Sequence, residues 1–284
     1  MPSSAADLRQ RYQEGRLLPF IGAGVSMGVR WITPDGMPKH GPSWSELVEE
    51  AARQLGFTEP ELLRVRGEDL QILEYYRSKK YDELAALRNW LVQELHPPDE
   101  ALRDAPVLRA LAAMEKSRVV YTTNFDDFIE RALGLHGRPF KRVAVEGHVA
   151  EFLREGGTSA LTEVVKFHGD LENPSEMVVS EADYRERLRL ATPMDARLRA
   201  DVLGRVILFM GYSFRDWNVS YLFHLVNSDF GPTQQPPGGR RAYITVSDPS
   251  DFEYELFGAR QIEVIPIRGS HATEDLAALL MELL

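Results

Sequence analysis

The sequence predicts an α/β fold in which a mostly parallel sheet carries helices on both faces. Short apolar runs, rich in β-branched and aromatic residues, alternate along the chain with longer runs of helical periodicity. Strands separated by helices form βαβ units, and the strands of such units lie parallel. The predicted strands are 17–21, 118–121, 163–167, 205–210, 242–246 and 262–267.

The first predicted strand contains an unfavourable residue, Pro19. Proline cannot donate a hydrogen bond to a neighbouring strand, so it is rare inside a sheet. We therefore expect Pro19 to lie at the start of this strand.

Helical periodicity fills the segments between the strands. Ser43 and Glu46 form a capping-box pattern, which is typical of the start of a helix. The predicted helices are 46–55, 68–79, 82–95, 105–116, 125–133, 181–190, 194–203, 217–227, 252–257 and 273–284.

The segment 31–104 separates the first two strands by far more than an ordinary crossover helix. Because its pattern is mostly helical, we expect it to form a helical insert or lid. The segment 181–203 is a candidate second part of this insert. The remaining residues, 1–30 and 105–284, then form a Rossmann-like domain around the parallel sheet.

Composition excludes several classes of protein. The chain has 284 residues, 44% of them hydrophobic, which is enough for a folded core and excludes a disordered protein. It contains no cysteine, so it has no disulfide, cysteine-ligated metal or thiol nucleophile. A net charge of −10 argues against a dedicated nucleic-acid-binding protein. The most apolar uncharged run, 206–214, is far shorter than the ~20 residues of a membrane span, and no secretory signal is visible, so we expect a cytoplasmic protein.

Polar turns follow four of the predicted strands. They cover 22–26, 122–127, 168–170 and 211–216. Ligands of open α/β sheets bind at the carboxyl ends of the strands, so we expect these turns to meet at one crevice.

Gly22 and Gly24 follow the first strand directly, where glycines let the backbone approach a phosphate group. The dehydrogenase fingerprint is incomplete, because Met27 occupies the place of its third glycine. A phosphate site and a purely structural turn are equally compatible with the pattern. If the turn binds phosphate, a larger residue at Gly24 should weaken nucleotide binding more than it harms folding.

Asn124 and His168 are the candidate reactive residues. The Asn124 amide has a donor and an acceptor for a ribose hydroxyl or a water, but on sequence alone an N-cap of a helix beginning at Phe125 is favoured. His168 ends an apolar strand and suits a general base, while a hydrogen-bonded core histidine is an equal alternative. The other histidines lack metal-ligand spacing, and the chain has neither a phosphate-binding lysine loop nor a serine-hydrolase elbow.

Four motifs together carry a resemblance to a known family. GAGVS at 22–26, TTNFD at 122–126, FHGD at 167–170 and GYSFRDWN at 211–218 occur in this order. The set resembles the sirtuin-like domain, and more specifically its bacterial branch of NAD-consuming defence proteins, over roughly 17–246. The resemblance implies NAD as the substrate.

The resemblance also implies a role for each matching residue. His168 would be the catalytic base on a ribose hydroxyl or the attacking water, Asn124 would hold the ribose and place that water, and Asp126 would orient the nicotinamide amide. The residues implied to bind the remainder of NAD are Gly22, Ala23, Gly24, Ser26, Thr123, Gly211 and Ser213.

Two departures separate this chain from the protein-deacylating members of that family. Those enzymes carry a four-cysteine zinc module, which a chain without cysteine lacks, and they usually have glutamine where this chain has Thr123. We therefore expect an enzyme that hydrolyses NAD to nicotinamide and ADP-ribose without a metal. The alternatives are an NAD-dependent deacylase or ADP-ribosyltransferase, and a non-enzymatic nucleotide-binding scaffold.

The last predicted helix is unusually apolar, which indicates that it is buried either in the core of the chain or in a subunit interface. The resemblance implies self-assembly and a separately encoded ATPase or nucleic-acid-sensing partner. We therefore expect a regulated homo-oligomer that does not associate with membranes and does not itself bind nucleic acid strongly.

Overall fold

The computed structural model describes residues 4–81, 83–154, 161–187, 189, 191–212 and 242–284. The strands are β1 (Leu17–Ile21), β2 (Arg30–Ile32), β3 (Pro38–His40), β4 (Val119–Thr122), β5 (Phe140–Val143), β6 (Thr162–Lys166), β7 (Val206–Met210), β8 (Ala242–Ser247) and β9 (Ile262–Ile267). The helices are α1 (Ser4–Gln13), α2 (Ala23–Met27), α3 (Trp44–Gln54), α4 (Pro60–Arg66), α5 (Asp69–Lys79), α6 (Ala85–Glu94), α7 (Asp99–Asp104), α8 (Pro106–Ala113), α9 (Phe128–Leu135), α10 (Glu146–Arg154), α11 (Glu181–Arg187), α12 (Pro193–Gly204), α13 (Asp251–Ala259) and α14 (Ala272–Leu283). The predicted helix at 217–227 and the candidate residue Ser213 lie outside the described residues.

Seven of the described strands form one sheet in the order β5-β6-β4-β1-β7-β8-β9, and every pairing between them is parallel. Strand β1 lies at the centre of the sheet. Strands β4, β6 and β5 lie on one side of it, and β7, β8 and β9 lie on the other. The prediction of a Rossmann-like parallel sheet is confirmed. Because β6, β4, β1 and β7 are neighbours, the polar turns that follow them start at adjacent strand ends; of the turn after β7, only Gly211 and Tyr212 are among the described residues.

Two predictions about strands were incomplete. The edge strand β5 was missed because its residues Lys141 and Arg142 interrupt any apolar run, and three of its four side chains are only half-buried. The short antiparallel hairpin of β2 and β3 was missed within the segment predicted to be helical. Three-residue strands leave too few positions for an alternating pattern to be recognised.

Pro19 does not lie at the start of β1, so that prediction was wrong. It is the third of five residues and pairs with Leu208 of β7. On the other side of β1, the pairing with β4 begins only at Phe20. A strand residue directs its N–H to one side only, so Pro19 is accommodated where β4 has not yet begun to pair.

The sheet is buried on both faces. Leu17 and Ile21 of β1 belong to one apolar cluster, whereas Leu18 and Phe20 belong to the cluster on the opposite face. This alternation follows from the two-residue period of a strand, and burial on both faces explains why β1 reads as a continuous apolar run.

The C-terminal helix α14 packs into the core of the chain. Four of its apolar residues are buried in one sheet cluster, alongside residues of α1 and α8. Of the two alternatives left by the sequence, burial in the core is confirmed for these residues, while Met281 remains 52% exposed. The buried residues of α14 are Leu276, Ala277, Leu280 and Leu283.

The helices between β3 and β4 enclose an apolar cluster of their own. Residues from α3, α5 and α6 pack together there, and Met177 and Val179, which follow β6, join them. By contrast, Leu198 of α12 belongs to a sheet cluster. The division of the chain into two domains stays a prediction.

No helix of the described part of the chain is long and apolar enough to cross a bilayer.

Candidate active site

A cavity of about 1060 Å³ lies between the carboxyl ends of the central strands and the helical segment. Helical residues, among them Trp44, Arg66 and Leu91, form its outer wall. Six of the predicted site residues lie on the sheet side of this cavity, whereas Gly22, Gly24 and Gly211 do not line it. The six are Ala23, Ser26, Thr123, Asn124, Asp126 and His168.

The glycines of the first turn lie against the turn that follows β7. The Gly24 N–H donates to the Gly211 carbonyl at 3.0 Å, and Val25 N–H donates to Gly22 O at 3.1 Å. A Cβ at Gly24 would lie 2.9 Å from Gly211 Cα, and one at Gly22 would lie 2.6 Å from Gly211 O. Gly211 itself has a φ of +75°, which favours glycine. Close approach of the two turns therefore accounts for all three glycines, and a larger residue at Gly24 meets backbone rather than empty space.

Asn124 follows β4 and is held by two hydrogen bonds from its amide nitrogen. Nδ2 donates to the Gly22 carbonyl at 3.0 Å and to the Ser26 hydroxyl at 2.8 Å. Because a carbonyl oxygen can only accept, this contact fixes which end of the amide faces Gly22. Both amide donors are thus engaged within the protein, and Oδ1 is the atom left to accept a hydrogen bond from a ligand.

The prediction that Asn124 caps a helix beginning at Phe125 is wrong. Helix α9 begins at Phe128, and Asp126 Oδ1 accepts from the Phe128 N–H at 3.1 Å. The Asn124 N–H instead donates to the Thr122 hydroxyl at 3.0 Å, which keeps the chain in a turn beyond β4. This turn frees the Asn124 side chain for the contacts with the first turn.

Ser26 links Asn124 to Asp126. Its hydroxyl accepts from Asn124 and donates to Asp126 Oδ2 at 2.7 Å. Asp126 is 5% exposed, and burial raises the pKa of its carboxyl, an effect that the Lys166 ammonium and the Ser26 hydrogen bond only partly offset. The Ser26 hydroxyl donates its proton to Asp126 and accepts a hydrogen bond from Asn124. These contacts favour a role in positioning Asn124 and Asp126 over a direct contact with a ligand.

His168 follows β6 and is 3% exposed. Its ring stacks near Phe167, with centroids 5.7 Å apart, and meets the edge of Tyr184 at 5.2 Å. Burial, and then the positive charge of Arg187, lower the pKa of His168 well below its usual value. No described residue hydrogen-bonds to its ring nitrogens, and the neutral imidazole lines the cavity.

The Thr123 side chain bonds to Tyr212 and not to Asn124 or Asp126. Its hydroxyl lies 2.9 Å from the Tyr212 hydroxyl, which donates to the Ile21 carbonyl at 2.9 Å. Since the Tyr212 proton is used on that carbonyl, Thr123 is the donor to Tyr212. These bonds join the ends of β4, β1 and β7 beneath the cavity.

Sequence reasoning missed a buried charged network beneath the site. Lys166, at the end of β6, donates a hydrogen bond to the Asp126 carbonyl and lies 3.6 Å from Glu130 Oε1. Arg142 lies 3.7 Å from the same Glu130 oxygen and 3.1 Å from Asp170 Oδ2. Burial raises the pKa of Glu130, against the lowering effect of Lys166. The signals that could have revealed the network were a lysine ending an apolar strand and the Asp170 of the FHGD motif.

A comparison with protein families agrees with this architecture. The model of the SIR2-like domain matches residues 118–265, slightly more than half of the chain. The chain belongs to the SIR2-like domain family. The match begins just before β4 and includes three of the four motifs, with the strand ends that carry Asn124 and His168, so the resemblance to this family is confirmed.

The chain is also similar in sequence to several curated proteins of bacteria. An NAD(+) hydrolase ThsA of Bacillus cereus (strain MSX-D12) is 24% identical over 258 residues, which cover 88% of this chain and 48% of that protein. An NAD(+) hydrolase ThsA of Acinetobacter baumannii (strain 532279) is 23% identical, covering 78% of this chain and 42% of that protein. Defense-associated sirtuin 2 of Bacillus subtilis is 23% identical, covering 93% and 25%. The SIR2-like chain thus spans about half the length, or less, of these relatives.

Proposed function

We propose that this SIR2-like chain hydrolyses NAD at the nicotinamide–ribose bond and serves as an effector of anti-phage defence. The observation that carries the proposal is that Asn124 and His168, which end the neighbouring strands β4 and β6, line one cavity. The names of the relatives support NAD as the substrate and defence as the setting. The cavity, of about 1060 Å³, is slightly larger than the ~300–1,000 Å³ typical of pockets for small ligands and cofactors, so it has room for a dinucleotide.

The proposed reaction consumes one NAD and one water. The bond between the ribose C1′ and the pyridinium nitrogen breaks, and its electron pair neutralises that nitrogen, so that nicotinamide leaves uncharged. The resulting oxocarbenium-like ribose is attacked at C1′ by water, as in other glycosyl transfers. The products are nicotinamide, ADP-ribose and a proton.

His168 is proposed to accept that proton from the attacking water or from a ribose hydroxyl. A base must be neutral before it acts, and the lowered pKa keeps the His168 imidazole neutral well below pH 7. The cationic substrate also benefits, because a neutral imidazole does not repel the pyridinium ring.

Asn124 and Asp126 are proposed to orient the substrate. Asn124 Oδ1 accepts from a ribose hydroxyl or from the water, since Nδ2 is already bonded to Gly22 and Ser26. Asp126 offers its remaining lone pairs to the nicotinamide carboxamide. Fixing the ribose and the water relative to each other lowers the entropic cost of reaching the transition state.

The proposed function is tested by incubating the purified chain with NAD and no other acceptor, and separating the products by chromatography. Hydrolysis yields nicotinamide and ADP-ribose in equal amounts. A deacylase would need an added acetyl-lysine peptide and would form an acetylated ADP-ribose. A nucleotide-binding scaffold would leave NAD intact even at high protein concentration and after long incubation, and that result would refute the proposal.

Regulation by assembly forms the second part of the proposal. Free NAD hydrolysis would deplete a cell, so we propose that the chain forms a homo-oligomer with low basal activity. A separately encoded ATPase or nucleic-acid-sensing partner, or higher-order assembly, switches this activity on. Light scattering combined with NAD turnover over a protein concentration series tests this. A monodisperse monomer with full activity at every concentration would contradict it.

A further inference from the structure

Aromatic side chains leave little open space around the His168 ring. The Phe167 ring stacks near it with centroids 5.7 Å apart, and the Tyr184 ring meets it edge-on at 5.2 Å with an interplanar angle of 86°. Only 3% of His168 is exposed. In the proposed reaction both the ribose and the attacking water lie beside this imidazole. The space that its neighbours leave open therefore limits which acceptor can reach the ribose C1′.

Tyr184 belongs to the cavity wall as well as to the surroundings of His168. It is 9% exposed and packs with Leu70 and Val178, and Trp44 packs against this small cluster. Tyr184, Leu70 and Trp44 all line the cavity. The tyrosine ring thus joins the helical wall of the cavity to the strand end that carries His168.

The start of α11, the helix that carries Tyr184, is anchored by Asp183. Its Oδ2 accepts hydrogen bonds from the N–H groups of Val179 and Ser180 at 3.0 and 2.9 Å. Its Oδ1 forms an ion pair with Arg77 of α5. These contacts fix the start of α11 against the helical wall, and they place the backbone of Tyr184 beside the cavity.

We propose that Tyr184 restricts the acceptor of the reaction to water, because its ring fills the space through which a larger acceptor would reach C1′. This inference rests on the proposed function, and it names the residue that determines acceptor specificity in the same site. An oxocarbenium-like ribose is open to attack by any nucleophile that reaches it, so access decides between hydrolysis and transfer. Water passes the Tyr184 ring, whereas an alcohol or an acyl-lysine brings substituents that collide with it.

Alcohols of increasing size probe this access directly. An alcohol and NAD give nicotinamide, an alkyl ADP-ribose and a proton. The bond from C1′ to the pyridinium nitrogen breaks, a bond from C1′ to the alcohol oxygen forms, and the hydroxyl proton is released. Water and alcohol compete for one intermediate, so the ratio of alkyl ADP-ribose to ADP-ribose does not depend on the overall rate of NAD cleavage.

The test gives the purified chain NAD together with methanol, ethanol or 1-propanol at equal concentrations, and separates the products by chromatography. In the wild type the ratio should fall by about tenfold or more from methanol to 1-propanol, as expected where added methylenes collide with a wall. Tyr184→Ala should raise the ratio for 1-propanol by about tenfold, and Tyr184→Leu should have an intermediate effect. Tyr184→Phe keeps the ring and should match the wild type. Tyr254→Ala, which removes an exposed tyrosine outside the cavity, is the control and should also match it.

The outcomes separate this inference from the function on which it rests. A wild-type ratio for 1-propanol in Tyr184→Ala would overturn the role of Tyr184 alone, as would a wild type that accepts methanol and 1-propanol equally. If Tyr184→Ala loses its fold or its NAD cleavage, the ratio in Tyr184→Leu decides. Loss of NAD cleavage in both variants, while they remain folded, would overturn a role confined to access. A wild type that leaves NAD intact would overturn the proposed function and this inference together.

Discussion

The amide nitrogen of Asn124 lies 2.8 Å from the hydroxyl oxygen of Ser26, although 98 residues separate them in the chain. The same hydroxyl donates to Asp126 at 2.7 Å, so one serine fixes two residues of the turn that follows β4. The contact joins the turns after β1 and β4 and orients Asn124 Oδ1 for a ligand.

Ser26→Ala should therefore lower the kcat for NAD by ~10- to 100-fold, because Asn124 and Asp126 both lose a fixed partner. The free energy of unfolding should fall by only about 1–2 kcal/mol, the cost of hydrogen bonds lost in a buried place. Steady-state kinetics and denaturant unfolding measure the two effects. Ser117→Ala, which removes a buried hydroxyl bonded to Leu17 O, is the control and should keep full kcat. Equal loss in both variants would argue against a positioning role for Ser26.

His168 predicts a specific pH dependence of stability. Its pKa is lowered in the folded protein, whereas the unfolded chain has a histidine pKa of about 6.5. Below that pH the unfolded state binds a proton that the folded state does not, so stability falls as the pH falls. The slope approaches about 1.4 kcal/mol per pH unit and ends at the folded-state pKa.

The measurement is the difference between the unfolding free energies of wild type and His168→Gln from pH 7 down to pH 5. A difference is needed because Asp126 and Glu130 have raised pKa values, and their stabilisation is present below the unfolded-state pKa and lost as the pH rises through the folded-state one. The wild type should lose stability faster than the variant. His271→Gln, which removes an exposed histidine, should behave as the wild type. Parallel curves for all three proteins would contradict a buried neutral His168.

Gly24→Ala should destabilise the fold rather than act on nucleotide binding alone. The new Cβ would lie 2.9 Å from Gly211 Cα, and overpacking of this kind costs about 1–3 kcal/mol. Gly258→Ala is the matched control, because no atom lies within 4 Å of its Cβ and alanine favours its helix α13. Thermal unfolding should show a lower Tm for the first variant and an equal or higher Tm for the second. Equal Tm values for Gly24→Ala and the wild type would mean that the two turns are not in close contact.

The buried Lys166 should be needed because Glu130 is charged beside it. Lys166→Met should lower the unfolding free energy by about 1–3 kcal/mol, since it leaves the Glu130 carboxyl, 2% exposed, with Arg142 at 3.7 Å as its remaining cationic neighbour. The double variant Lys166→Met/Glu130→Gln should recover most of this loss, because the carboxyl that lost one of its two cations is then uncharged. Denaturant unfolding of the single and double variants measures the coupling. Additive losses would contradict a direct pairing.

The fold was predictable because burial on both faces of a parallel sheet leaves a direct mark in the sequence. Each strand that forms the middle of the sheet is a short apolar run, and the turns that follow β1, β4, β6 and β7 are visibly polar. The edge strand β5 escaped because Lys141 and Arg142 lie within it. Pro19 was misplaced because the position at which β1 begins to pair with β4 is a tertiary property.

The candidate site was predictable only in part. Motif order indicated Asn124, Asp126 and His168, and they do line one cavity. Their hydrogen bonds were not predictable, since the contact between Ser26 and Asn124 depends on which strands are neighbours. For the same reason Lys166 read as part of a strand, although its ammonium contacts the turn that carries Asp126.

The central claim, that Asn124 and His168 cleave the nicotinamide–ribose bond of NAD, is tested most directly by one measurement. It is the rate of nicotinamide release at high protein concentration by the wild type, Asn124→Ala and His168→Gln, with Asn89→Ala as an exposed control. We expect the wild type and the control to release nicotinamide equally, and each site variant to be slower by ~100-fold or more while it remains folded at the assay temperature. Nicotinamide release at the wild-type rate by both folded site variants would contradict the claim.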